Sequence, residues 1–407
     1  MPETRVYCPH CGARQERGPP DLGDAWSSAP SGFAQLGYLL LIGTGALIAL
    51  AAMAYGLWAL LSEGEVLDRA MSLALTAIGL SLLLGSVRAF RPGRWRLPAL
   101  APEWVWLGSL LLVWFIGILA GSLLPGTVPW VYPVLIVVGA GLASLLFLRA
   151  TLHGLETPAG RSPLSGKFPP RHVVLLSVSL SASVSSLLSL IVEGVVLAGT
   201  VIVMLVATRL LGDQLTLELI ERAAQDPQAL QSLEQAFASS PVALAGLACL
   251  VVLVVPIIEE TFKGLPLLLF ARSGARVTER MAILLGVAGG IGFAFIENVG
   301  YLSTLADNWW LVFWFRAAAA IMHGAASGFT GRAWYRGPLR GEWGRMALDL
   351  VRSWGIHGFW NALALLVGWF AYREVMEGVL FCVAVGLVPL AILFTVMARW
   401  GIWVSKE

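Results

Sequence analysis

The chain has 407 residues, of which 57% are hydrophobic and only 13% charged, and its mean hydropathy is +0.78. Water-soluble domains carry about 25% charged residues, so lipid must be the solvent for most of this chain and a soluble globular class is excluded. The net charge of +2 says little as a total, because in membrane proteins the placement of Lys and Arg between spans carries the information; nucleic acid is not expected as a partner.

Residues 1–33 are polar, contain Pro19, Pro20 and Pro30, and lack the apolar core of a cleavable signal peptide, so this tail reads as retained. Within it, YCPHCGAR places Cys8 and Cys11 at C-x₂-C spacing, with Gly12 allowing a tight turn, as in one knuckle of a zinc ribbon. The second knuckle is missing. A four-ligand zinc site needs His10 or a second chain, so the pair reads either as structural zinc shared in a homodimer or as a vestigial or redox-active pair. Residues 13–33, rich in Pro, Gly and Ser, form a linker, and Cys249 and Cys382 sit alone in apolar runs as small fillers.

Apolar stretches of the roughly 20 residues needed to cross a bilayer fall near 34–61, 70–90, 104–122, 130–150, 176–211, 241–271, 281–303, 310–331, 347–370 and 378–398. The fold class is therefore an all-α, polytopic helical bundle of about ten spans behind the short N-terminal Cys-x-x-Cys segment. It divides into the cytosolic tail 1–33, a four-span region 34–150, a long span with an amphipathic segment over 172–240, and a membrane domain over 241–400. The stretch 176–211 is long for one helix, and Glu193-Gly194 is its only candidate turn. Crossing once, it leaves the clusters Arg88/Arg91/Arg94/Arg96, Arg149/Arg161/Lys167/Arg171, Arg272/Arg276/Arg280 and Arg332/Arg336/Arg340/Arg345 on one side, whereas a hairpin reverses that asymmetry. The positive-inside rule thus favours one tilted or partly interfacial helix and places both termini in the cytoplasm, in a bacterial inner membrane. Residues 212–240 read as an amphipathic lid on the opposite side, or as an ordinary solvated loop.

Ionisable residues at bilayer depth cost roughly 2.5–3.5 kcal/mol each even on the lenient insertion scale, which marks them as functional candidates. The first four spans hold none in their interiors. From 241 onward they cluster. In VVPIIEETFKG, Lys263 lies at i,i+4 from Glu259 and i,i+3 from Glu260, so one cation beside two adjacent carboxylates makes an acid and a base from identical groups. Pro256 and Pro266 bracket the motif and remove helix hydrogen bonds, which predicts a bend with freed backbone groups. The next span carries Glu297 and Asn298 behind glycines 286, 289, 290 and 292, which permit close helix approach. Arg316 and His323 share a face on the span after it, among Ala320, Gly324, Ser327 and Gly328, and His357 and Asn361 lie at i,i+4 on the following one, where the amide would orient the imidazole or bind substrate. At ~1.5 Å per residue Glu260 lies about 17 Å from the cytoplasmic end of its span, His357 about 16 Å, His323 about 12 Å and Glu297 about 24 Å, so tilting brings them into one polar layer.

EETFK, FAFIEN followed by Tyr301, MHG and HGFWN, in that order on consecutive spans over roughly 241–370, resemble the PrsW intramembrane proteases. Related CAAX prenyl endopeptidase and bacteriocin-immunity families share a double-Glu motif but carry histidine at the position of Glu297. The resemblance implies an endopeptidase acting on single-pass membrane proteins, anti-sigma factors being the best-known kind, with Glu259, Glu260, Glu297 and His323 as functional residues, His357 and Asn361 beside them, and Lys263, Asn298 and Arg316 in support. Two mechanisms stay open. In one, Glu260 is the base, with His323 or His357 and Asn361 steadying the oxyanion; in the other, a divalent metal such as zinc sits among Glu260, Glu297, His323 and His357.

Each element has a plainer reading. Glu259, Glu260 and Lys263 alone would be a register-setting buried ion pair, a lone histidine a packing residue, and Arg316 a counter-charge for Glu297. Glu193 has no evident partner. A proton- or cation-coupled transporter also uses buried Glu and His, but it predicts an internal repeat that the first four spans do not supply. A non-catalytic scaffold or immunity-type protein would be expected to have lost a motif residue.

Overall fold

A computed structural model describes residues 6–7, 14–15, 32–61, 66–90, 133–142, 148, 171–211, isolated positions between 221 and 239, and 240–272, 277–304, 309–373, 375–377 and 383. Apart from one antiparallel hairpin, β1 (Val6–Tyr7) with β2 (Arg14–Gln15), every described element is helical. The connection between these strands carries Cys8 and Cys11, which lie outside the described residues, as do the expected span at 104–122, nearly all of that at 378–398 and most of the segment 212–240.

The helices are α1 (Gly32–Leu61), α2 (Val66–Phe90), α3 (Pro133–Leu142), α4 (Arg171–Leu180), α5 (Ser186–Leu211), α6 (Pro241–Cys249), α7 (Val255–Lys263), α8 (Leu265–Arg272), α9 (Glu279–Thr304), α10 (Trp309–Trp334) and α11 (Trp343–Tyr372). Among the described residues, five stretches are long and apolar enough to cross a membrane: Leu36–Ala59, Asp68–Val87, Val173–Ala207, Pro241–Phe270 and Glu279–Leu302. The chain is thus a multi-pass, all-helical membrane protein. Helices α10 and α11, of 26 and 30 residues, are long enough as well, but they carry Arg316, Arg332, Arg345, Asp349 and Arg352.

The long apolar stretch after 170 does not fold back. A π turn, Ser181–Ser185, joins α4 to α5 in one continuous helix, and Glu193-Gly194 lies within it. Forty-one residues at ~1.5 Å rise span about 60 Å, twice the ~30 Å hydrocarbon layer, so this helix must tilt or project beyond the bilayer.

Helix α9 is the centre of the bundle. In its crossing window 83% of residues are buried, against 6% for Val173–Ala207, so α9 is surrounded by protein and α5 faces lipid. Leu82 of α2, Leu176 and Leu180 of α4, Leu267 and Phe270 of α8, and Leu285 of α9 make one buried cluster. Ala319, Met322 and Ala326 of α10 pack with Trp360 of α11 in another. Lipid tails are as apolar as these side chains, so close packing and interhelical hydrogen bonds hold such helices together. Two glycines of α9 set the spacing: a Cβ on Gly290 would collide with the His323 carbonyl of α10, and one on Gly292 with the Val178 carbonyl of α4. A hydrogen bond from Ser177 Oγ to the Leu285 carbonyl, 2.8 Å, ties α4 to α9 beside them.

Candidate active site

The site begins at a break in a helix. Between α6 and α7 the chain makes a second π turn, Leu250–Val254, immediately before Pro256. Bonds in a π turn run from residue i to i+5, so the natural donor for the Val251 carbonyl is residue 256, and proline has no N–H. Asn361 of α11 supplies the missing donor: its Nδ2 lies 2.9 Å from the Val251 carbonyl. Orienting His357 is therefore not what this amide nitrogen does. It clamps α11 to the bend, and Gly358 of α11 sits against the adjacent Val252 carbonyl.

Beyond the bend, α7 presents Glu259, Glu260 and Lys263 to the interior, all buried. The Lys263 ammonium lies 3.0 Å from Glu259 Oε2, 2.7 Å from Glu260 Oε1 and 2.8 Å from His323 Nδ1, and it caps the Phe293 ring at 4.1 Å. An ammonium only donates, so His323 Nδ1 is an acceptor and the ring proton of the neutral imidazole is on Nε2. That nitrogen is 2.7 Å from Glu297 Oε2. The same oxygen lies 3.1 Å from Arg316, whose Nε donates to Asn298 Oδ1 at 2.6 Å while Asn298 Nδ2 donates to the Arg316 carbonyl. Arg316 is thus the counter-charge of Glu297, fixed in place by Asn298.

Glu260 is fully buried. Its Oε1 meets Lys263 and, at 3.0 Å, His357 Nδ1. Ser327, Thr330 and Ser353 surround its Oε2 at 2.9, 3.3 and 3.1 Å. A carboxylate that already faces an ammonium and three hydroxyls receives the His357 Nδ1 proton, which leaves His357 Nε2 with its lone pair toward Glu259, 3.7 Å away. Each histidine therefore has a carboxylate behind one ring nitrogen, Glu260 behind His357 and Glu297 behind His323, the arrangement that orients imidazoles as metal ligands; on His323 the remaining lone pair, at Nδ1, is engaged by the Lys263 ammonium, which a metal there would have to displace. The two rings meet edge-on, 4.8 Å between centroids.

One ligand atom from each of Glu259, His323 and His357 falls within 4.8 Å of the others, and all three residues are buried. Two imidazoles and a carboxylate leave a fourth position open, as catalytic zinc requires, and donors on one tetrahedral zinc stand roughly 3.3 Å apart. The residues fit a metal. Of the four named above for that role, His323 and His357 fall in this group, whose carboxylate is Glu259, while Glu260 and Glu297 contact the other ring nitrogens of the two histidines. The charges favour a cation too, because among the described residues the three carboxylates Glu259, Glu260 and Glu297 are faced by two cations, Lys263 and Arg316.

Thr330 and Ser353 were not singled out from the sequence. Their signal is spacing alone: Thr330 is seven residues after His323 and Ser353 four before His357, each on its histidine's face. A further set, built on the buried Asp349, closes the same pair of helices: Asp349 receives Arg332 at 2.6 and 3.0 Å, Arg336 at 3.0 Å and, from its own helix, the exposed Arg352 at 3.2 Å. Arg332, grouped with the loop charges by sequence, lies in the last turn of α10.

The sequence model for the PrsW family intramembrane metalloprotease matches residues 169–397, which include every residue of the cluster and the long helix before it. No curated protein and no solved structure matches the chain. With the match extending over more than half of its residues, the chain belongs to the PrsW family of intramembrane metalloproteases, hydrolases of peptide bonds.

Proposed function

We propose that the chain cleaves membrane-anchored, single-pass proteins, anti-sigma-factor-like regulators among them, with Glu259, His323 and His357 holding a divalent cation such as zinc. The observation that carries this is the buried Glu/His/His group with a carboxylate behind each imidazole. When bound, the ion polarises the scissile carbonyl and acidifies water.

Hydrolysis adds a hydroxyl to the carbonyl carbon and a proton to the departing amine, so one group must take and return a proton. Glu260, enclosed by Lys263, His357 and three hydroxyls, is held in a positioning role. Glu297 is the most exposed carboxylate of the cluster, 25% against 9% for Glu259 and 0% for Glu260. Its Oε2 faces Arg316 and His323, which leaves Oε1 to accept the water proton and deliver it to the amine. The reading places the protein in an inner membrane with both termini cytoplasmic, and assigns Cys8 and Cys11 to a zinc shared between two copies.

The test is cleavage of a panel of tagged single-pass proteins by purified, reconstituted enzyme. Glu259→Gln, His323→Ala and His357→Ala are each expected to lower cleavage at least 100-fold, and chelator to abolish it until zinc is restored. Variants that cut as well as wild type overturn the site. Chelator-resistant cleavage that still needs Glu260 returns the reaction to a carboxylate-only mechanism.

A further inference from the structure

An intramembrane hydrolase consumes one water per bond cut, and the water must cross an apolar layer to reach the site. The continuous helix from α4 to α5 carries seven serines between 177 and 189, although it faces lipid over most of its length. Four of them donate to backbone carbonyls, Ser177 to Leu285 of α9 and Ser186 to Ser181 among these. Ser179 and Ser183 donate to the carbonyls four residues back in their own helix, at 2.9 and 2.6 Å, and are thereby satisfied. Ser181, Ser185 and Ser189 are 0–1% exposed and recur every four residues, with Glu193 next in the series.

The hydroxyls of Ser181 and Ser185 are buried without a hydrogen-bond partner among the described residues. An unmade hydroxyl bond in an apolar interior costs about 1–3 kcal/mol, and a helix interior offers an easy remedy in the carbonyl four back. Ser185 is denied it, because the Ser181 carbonyl already receives the backbone N–H and, at 2.9 Å, the hydroxyl of Ser186. The π turn that reroutes these bonds packs against α7 and α9, the helices of the active site. Ser181 lies beside Gly289 of α9, where a Cβ would stand 3.7 Å from Ser181 Oγ and 3.1 Å from the Lys263 carbonyl, so this hydroxyl faces the junction of α9 with α7. At the other end of the series, Ser189 Oγ donates to Glu193 Oε1 at 2.6 Å. Helix α5, which carries Glu193, packs against α7, the helix of Glu259, Glu260 and Lys263.

We propose that Ser181, Ser185 and Ser189 line a hydrophilic lane that carries water along the π turn to the Glu/His cluster, with Glu193 as the positioning residue at its inner end. The lane rests on the hydrolase reading for its purpose and on the unpaired hydroxyls for its existence. Buried polar groups in proteins are satisfied by ordered water where protein partners are missing, and irregular backbone at membrane depth is tolerated where it lines a wet cavity. Glu193 receives a hydrogen bond from the arriving water and hands it on to the cluster; it forms and breaks no bond itself.

The test is thiol accessibility in the full-length protein in membranes, with Cys8, Cys11, Cys249 and Cys382 replaced by serine. Single variants Ser181→Cys, Ser185→Cys and Ser189→Cys are compared with Leu190→Cys, whose side chain is 67% exposed on the lipid side. The probe is methyl methanethiosulfonate, which reacts with the thiolate and so needs water at the sulfur; intact mass gives the rate. The lane predicts rates at 181 and 185 at least tenfold above that at 190, and equal rates mean a dry seam and overturn it. Labelling is read on the protein itself, so it remains decisive if no substrate is ever cut. Given a substrate, Glu193→Gln is expected to lower kcat at least tenfold with KM unchanged, and an unaltered kcat removes Glu193 from the lane.

Discussion

Glu260 shows how much of this site is built behind its reacting groups. One side chain collects Lys263, His357, Ser327, Thr330 and Ser353 from three helices, with no solvent to replace any of them. Removing one partner of a buried charge pair costs about 3–5 kcal/mol, because the other charge is stranded. Glu260→Gln is therefore expected to lower stability by that order, read as a fall in Tm in detergent micelles. Ser353→Ala removes a single hydroxyl and should cost about 1 kcal/mol, while loosening the seat of His357 enough to lower zinc affinity 10–100-fold. Were Glu260 instead a free catalytic base, glutamine would abolish cleavage and leave Tm unchanged. Lys263 was legible from its i,i+3 and i,i+4 spacing to the glutamates, because those pairs lie on one helix. Its third partner, His323, is 60 residues away and depends on how α7 meets α10.

Helices here are matched by small residues and by breaks. The glycine run of α9 signals close approach in the sequence, but the residue approached is a matter of packing: Gly290 meets the His323 carbonyl, so the glycine that admits α10 also sets the height of the histidine. Gly290→Ala should cost about 1–3 kcal/mol as an overpacked contact and, by parting α9 from α10, weaken cleavage through the Glu297–His323 contact. Gly300→Ala on the same helix has nothing within 4 Å of its Cβ and should stabilise by up to ~1 kcal/mol. The pair of Tm measurements separates helix propensity from close approach. The bend at Pro256 follows the same logic. Proline announces that a carbonyl will be orphaned, and the three-dimensional fold appoints Asn361 to satisfy it.

In the molecule as a whole, α9 is enclosed, the helix from α4 to α5 is largely bare, and α10 and α11 are closed together by Asp349 and three arginines. Asp349 is fully buried, so Asp349→Asn leaves Arg332 without its counter-charge and is expected to destabilise the protein by about 3–5 kcal/mol. Because this lock sits about one turn before Ser353 and about two before His357, the variant should also lose zinc affinity, measured by competition with a chromophoric chelator. Retained affinity at reduced Tm would mean that the lock and the site unfold separately.

Membrane residence, the helical class and the cluster Glu259, Glu260, Glu297, His323 and His357 follow from the chain as written, because burying charge in lipid is expensive enough to make each such residue conspicuous. That the long stretch after 170 crosses as one helix follows as well, from the distribution of arginines between spans. The division of labour follows only from packing. Glu259 and Glu260 are adjacent and chemically identical, yet successive residues on a helix point about 100° apart. One meets the hydroxyls of α10 and α11 while its neighbour turns toward the two imidazoles. The unpaired serines are hidden in the same way: a serine in a membrane helix normally bonds to its own backbone, and the π turn, with α7 and α9 against it, takes that choice from Ser185.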